Sequence, residues 1–233
     1  MASSLKSLTN NDVTSTRTLL HEAIPITGAL MSGTYSDSNI KNFSHGMFQS
    51  VYDYPYLSSS ANHLFDITFG HSSTVQNSDY TQNTKKSNIY NQMAQILVGH
   101  DVTGGIRKFD QDGNAAAASS LNSNRKFNQA FFFSFSRLLS KDEVKKGSFT
   151  MSFITGSEVD EIGISKPDVA GVLNISDHGA QNSYFVNSPA GEYGLLLTGA
   201  NANPQTALGH IYYQAGLAVV TASIFGHKRT VGS

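Results

Sequence analysis

The run Asp110-Gln111-Asp112-Gly113-Asn114 is the nearest thing in this sequence to a metal loop, because alternating carboxylates and amides before a glycine open many calcium sites. A helix-loop-helix calcium site needs a bidentate Glu twelve positions in, where this chain has Leu121, so the run is expected to be an Asx-Gly turn. The histidines are His21, His45, His63, His71, His100, His178, His210 and His227, and no pair has the H-x3-H or HExxH spacing of a zinc site. His63 and His71 bracket a strand-like run and would lie about 25 Å apart along it, too far for one ion. Glu158, Asp160 and Glu161 cluster in GSEVDEIG, and paired carboxylates have acid-base potential. Hydrolysis of a glycosidic bond needs two carboxyls facing across a cleft, and neighbours on one segment are expected to be a solvated loop or strand end. Gly104-Gly105 reads as a turn, and no nucleophile elbow, phosphate loop or dinucleotide fingerprint follows a strand. The sequence thus leads to the expectation of no enzyme activity, no cofactor and no metal.

The elements around these residues are mostly strands. Phe65, Ile67 and Phe69 alternate with Asp66 and Thr68, the pattern of a half-buried strand. From Phe131 to Leu139, Phe131, Phe133 and Phe135 point one way and Phe132, Ser134 and Ser136 the other. A helical turn is expected next, with capping-box spacing at Ser140 and Glu143 and an end at Gly147. Phe149, Met151 and Phe153 then share a face of another strand. Two aromatic strands joined by so short a connection are expected to pair in one sheet.

Further strand-like runs follow at Val172–Ile175, Tyr184–Val186, Tyr193–Leu197, Leu208–Tyr213 and Leu217–Phe225, each bounded by turn residues. Such spacing predicts an antiparallel β-sandwich or barrel-like domain. The run LAVVTASIF is apolar on both faces, so it is expected to be central or covered by a partner, consistent with pairing across a subunit interface.

One amphipathic helix is predicted at about 87–98. Ile89, Tyr90, Met93, Ile96 and Leu97 form its stripe, and Asn91, Gln92 and Gln95 its polar face. Ser87 or Thr84 would cap its start and Gly99 its end. In YDYPYL, Tyr52, Tyr54 and Tyr56 surround Pro55, which favours an edge or extended segment. If extended, the three rings face one side and form a contact surface; packing on the rim of the chain's own core is the other reading.

Composition narrows the class of protein. The chain has 233 residues, enough to bury a sizeable core, and only 14% are charged. Ser, Asn, Thr and Gly fill the difference and favour turns over long helices. The formal net charge of −1 and the lack of a long basic run argue against nucleic-acid binding by the chain as a whole. There is no cysteine, which excludes disulfides, zinc-thiolate sites and cysteine nucleophiles. The start, MASSLKSLTNND, has no apolar signal core, and no run approaches the roughly 20 apolar residues of a membrane span. A chain folded in a cytoplasm is expected. Residues 1–20 are read as an N-terminal arm, frayed or ordered on a neighbour, and residues 21–233 as a single mainly-β domain.

The segments TRTLLHEAIPITGALMSGTY, FSHGMFQSVYDYPYLSSSANHLFDITFG, NIYNQMAQILVGHD and GEYGLLLTGA…GHIYYQAGLAVVTASIF resemble an uncharacterised structural-protein family of the virions of T4-like marine tailed bacteriophages, notably those infecting cyanobacteria. The likeness spans most of the chain and carries no catalytic motif. It implies a virion subunit, in the tail, baseplate or neck rather than the capsid, that binds other virion proteins and copies of itself. Tyr52, Tyr54, Tyr56, Leu19, Leu20, Leu217, Val219 and Phe225 are the expected contact residues. A glycan-binding host-recognition module is the alternative, supported by the tyrosines and weakened by the absence of Trp.

Overall fold

The computed structural model describes residues 37–73, 83–113, 126–136, 143–154, 172–199 and 207–225. The N-terminal arm with Leu19 and Leu20, the carboxylates Glu158, Asp160 and Glu161, and the start of the capped turn at Ser140 lie outside them.

The fold is mainly β. Seven strands form one antiparallel sheet: β1 (Ile40–Asn42), β2 (Phe48–Tyr52), β3 (His63–His71), β4 (Gln129–Phe135), β7 (Tyr193–Leu196), β8 (Gly209–Tyr212) and β9 (Leu217–Thr221). Their order is β1-β2-β3-β4-β9-β8-β7. The outer strands β1 and β7 do not meet, so these strands close no barrel. A second, two-stranded sheet pairs β5 (Thr150–Ile154) with β6 (Val172–Ser176). The single helix among the described residues longer than one turn is α1 (Asn83–Leu97).

Strand alternation turns this sheet into a wall between two cores. One row runs Phe48, Thr68, Phe132, Val219, His210 and Leu195 across six strands and faces α1. The next row, Ile67, Phe133, Ala218 and Ile211, faces the small sheet. The helix-side core joins Tyr90, Ala94 and Leu97 to Phe109, Phe127, Phe132 and Val219. The opposite core joins Phe133, Phe135, Ile211 and Val220 to Phe149 and Ile175. Each side chain buried in this way contributes on the order of 1.5–3 kcal/mol.

The two Phe-rich strands do not pair in one sheet. β4 hydrogen-bonds to β3 and β9, and β5 to β6. Their aromatic faces instead meet across the sandwich, with ring centroids of Phe133 and Phe153 6.0 Å apart and of Phe135 and Phe149 5.5 Å apart. β4 already has a partner on each edge, so the second aromatic strand supplies the facing layer.

LAVVTASIF is also shorter as a strand than its apolarity suggests. β9 ends at Thr221, and Ala222–Phe225 form a short 3-10 helix. β9 is central, between β4 and β8, with both edges occupied by its own chain. The expectation of strand pairing with another subunit through Leu217–Phe225 is therefore corrected. Leu217 and Val219 are buried in the helix-side core, where no partner reaches them.

α1 starts at Asn83, a full turn before Ser87, and Ser87 lies buried beneath it. The helix face that packs holds Ser87, Tyr90, Ala94 and Leu97. Ile96, placed on the stripe by its spacing, is exposed. Gly99 ends the helix at φ 83°, its N–H donating to the Ala94 carbonyl at 3.0 Å. A close approach at Gly70 sets the height of α1 above β3: a Cβ there would come within 2.8 Å of the Tyr90 main-chain nitrogen.

Candidate interaction surface

Exposed apolar groups concentrate on the β1–β2–β3 end of the sheet. Five of the ten large apolar or aromatic side chains exposed among the described residues fall between Met47 and Leu57: Met47, Phe48, Tyr54, Tyr56 and Leu57. Scattered exposed apolar residues are ordinary, whereas a cluster on one short segment marks a contact site.

Local chemistry builds two aromatic groups at the ends of β2. At its start the β1–β2 turn closes through the Gly46 N–H and the Phe43 carbonyl at 2.9 Å, with Gly46 at φ 63°. That turn gathers Phe43, His45 and Phe48, whose ring centroids are 4.7 to 5.3 Å apart. The Lys41 ammonium lies 5.1 Å from the Phe43 ring centroid.

At the far end of β2, Pro55 turns the chain, and the Ser58 N–H donates to the Pro55 carbonyl at 2.8 Å. The three tyrosines therefore do not line one face. Tyr52 lies 6.3 Å from Tyr56 and 5.4 Å from His63 between centroids, while Tyr54 is 59% exposed. Main-chain alternation ends at Tyr52, which is why the period-two reading of the tyrosines fails. Asp53 accepts from the Asn62 main chain at 2.6 Å and from its side-chain amide at 2.8 Å, fixing this loop. The bonds from Asn62 hold the Asp53 carboxyl below its ordinary range, against a desolvation that pushes it up.

Between α1 and β2–β4 lies an open groove of about 280 Å3. Met47, Phe48, Ile89, Met93 and Phe132 give it apolar walls, and Asp66 is its one charged lining residue. Asp66 Oδ1 accepts from Ser50 Oγ at 2.5 Å and lies 2.9 Å from His63 Nε2. Thr68 Oγ1 donates to the Met47 carbonyl, and Lys86 Nζ reaches from the helix to the Gly46 carbonyl at 3.4 Å.

The most perturbed titratable groups lie elsewhere. His210 is buried among Phe109, Phe127, Tyr193 and Tyr212, and its Nε2–H donates to the Asp110 carbonyl at 2.6 Å. Burial pulls the imidazole pKa down to about 4, so the ring is neutral. Tyr90 donates to the Phe127 carbonyl at 2.5 Å and Tyr193 to the Gly113 carbonyl at 2.9 Å, and burial raises both phenols beyond the ordinary range. The cavity beside them is small, about 10 Å3, on the order of a single water. The buried His210 ring ties the turn at Asp110 to β8 through its hydrogen bond to the Asp110 carbonyl.

That turn is as expected of an Asx-Gly sequence. Asp110 Oδ1 accepts from the Asp112 N–H at 3.2 Å, Gly113 has φ 72°, and the Asp110 carboxylate pairs with Lys126. His63 and His71 are the first and last residues of β3, as their spacing predicts. Of the expected contact residues whose side chains are described, Tyr54 and Tyr56 are exposed, Tyr52 is half-buried, and Leu217 and Val219 are buried. Sequence reasoning missed the groove and the β1–β2 turn. Phe43, His45, Met47 and Phe48 had no periodicity, and an apolar cluster in a Gly-containing turn was their only signal. Among the described residues no helix is long and apolar enough to cross a membrane. The chain matches no known protein family, no curated protein and no solved structure.

Proposed function

We propose that this chain is a structural subunit of a virion, non-catalytic, which assembles with copies of itself and with other virion proteins. The resemblance to tailed-phage structural proteins supplies the setting. The observation that carries the reading is the concentration of exposed Met47, Phe48, Tyr54, Tyr56 and Leu57 on one end of an otherwise well-covered sheet. Aromatic and Met side chains of this kind are the usual anchors of protein interfaces. Among the described residues the outer edges of this sheet are short for strand addition: that of β7 is bridged by Phe185 to Tyr193, and β1 has three residues.

Sedimentation velocity on the whole chain tests this. A defined oligomer is expected, which a Phe48→Ser/Tyr54→Ser double variant shifts toward monomer while its circular dichroism is unchanged. A monomer at every concentration up to about 100 µM, well above the Kd of stable interfaces, overturns the reading. Glycan recognition is a second reading, favoured by one observation: exposed Tyr54 adjoins the hydrogen-bonded pair Asp53 and Asn62. A glycan array with Tyr54→Ala as its control tests it.

A further inference from the structure

We propose that the groove between α1 and β2–β4 receives an arginine side chain presented by a partner chain, flanked there by apolar residues. This rests on the assembly reading for its partner, and the groove's own chemistry supplies the specificity.

A cavity of about 280 Å3 has room for roughly nine waters' volume, enough for one long side chain and its neighbour. Its walls are thioether, aliphatic and aromatic: Met47, Met93, Ile89, Phe48 and Phe132. Set into them is a single carboxylate. Asp66 Oδ1 is taken by Ser50 and His63, whereas Oδ2 has no partner among the described residues. The lining holds no Lys, Arg or His.

These features select the occupant. A wholly apolar side chain would remove water from Asp66 Oδ2 and return no hydrogen bond, a loss comparable to that of burying an unpaired charge. An acidic segment is repelled. A cation with an apolar stem satisfies both halves of the groove, the stem along Met47, Met93 and Ile89 and the head on Asp66. Guanidinium is preferred over ammonium because it is less strongly hydrated and stacks on an aromatic face such as that of exposed Phe48. A protein-borne arginine is preferred over a free amine because exposed Met47 and Phe48 continue the apolar surface beyond the mouth, where flanking residues of a chain would lie.

The test titrates the full chain with acetyl-Leu-Arg-Leu-amide, and with the same peptide carrying lysine or the neutral isostere citrulline. NMR methyl shifts of Met47 and Met93 report where each binds. The arginine peptide is expected to bind at least tenfold tighter than the citrulline peptide and tighter than the lysine peptide. Asp66→Asn keeps an acceptor for Ser50 and His63 while removing the charge, and should reduce the arginine peptide to the citrulline level. Gln92→Trp, at an exposed helix position on the rim, should block all three peptides. Equal binding of arginine and citrulline peptides, no effect of Asp66→Asn, or no shift at Met47 and Met93 would each overturn the proposal. If the peptides fail but the chain still self-associates, the arginine site is wrong and the assembly reading stands. If the arginine peptide binds and the chain stays monomeric, the reverse holds.

Discussion

Acidification should weaken this protein at His210. Its ring is enclosed by Phe109, Phe127, Tyr193 and Tyr212, with Nε2–H on the Asp110 carbonyl. A second proton would go to Nδ1, which faces the Tyr212 hydroxyl at 3.5 Å on a ring that is buried. Burial therefore holds the folded-state pKa near 4 against 6.5 for a free imidazole. The folded pKa is the lower one, so between these values the unfolded chain binds the proton first. The stabilisation is complete above about pH 6.5 and is lost as pH falls toward 4. At 1.36 kcal/mol per pH unit the whole effect is about 3 kcal/mol, most of it gone by about pH 4.5. Asp110 and Asp112 face the ring from the adjoining turn, and Lys126 pairs with Asp110. Burial raises the Asp110 carboxyl, which titrates with the opposite sign in an overlapping window. The comparison must therefore be with His210→Gln, which keeps the donor to Asp110 and all neighbouring groups but cannot be protonated. Urea unfolding followed by tyrosine fluorescence suits a chain with no Trp and 10 Tyr. At pH 7.5 the wild type should be the more stable, by the ring packing the variant gives up. By pH 4.5 its advantage should have shrunk by about 2–3 kcal/mol. An advantage that changes by less than about 0.5 kcal/mol over this range would refute the reasoning, as would an NMR pKa near that of a free imidazole.

Two further predictions concern the cores. Gly70→Ala places a methyl against the Tyr90 main chain and should cost about 1–3 kcal/mol in urea unfolding, with reduced helical circular dichroism from α1. Asp177 accepts from the Gly147 N–H at 2.7 Å, the Phe149 N–H at 2.9 Å and the Tyr213 hydroxyl at 3.0 Å, so Asp177→Ala leaves buried donors unpaired. It should cost about 3 kcal/mol or more, with hydrogen exchange accelerating first at Gly147 and Phe149.

Much of the fold was legible in the sequence where one residue type repeats at a strand's period. Phe65-Ile67-Phe69 and Phe131-Phe133-Phe135 are neighbouring strands facing the same core. α1 was legible from Tyr90, Leu97 and Gly99, but the register of its face was not: Ser87 is buried and Ile96 exposed, because contact with β3 rather than side-chain polarity chose the face. Layer assignment of β5 was not legible either. Alternation says which residues share a face and nothing about which strand lies beside which. The candidate contact surface was half legible. Tyr54 stands out from its type and its Pro neighbour, whereas Asp66 becomes notable only when β2 and α1 bring Phe48 and Met93 to it. His210 is a lone histidine in sequence, and its enclosure needs Asp110, a hundred residues away, to be brought against β8.

The place of β9 in the sheet also governs when the protein can fold. β4 pairs on one side with β3 and on the other with β9, whose residues follow it by more than eighty positions. During synthesis β1 to β4 can form a four-stranded sheet, but Phe131 to Phe135 then present an open edge until β9 is made. Loop closure across that interval comes before any of the contacts that repay it, so the two halves of the sheet should join late and slowly. Until they do, an exposed Phe-rich edge is available to other nascent chains, so the partly made chain should be most prone to aggregate in the interval before β9 arrives.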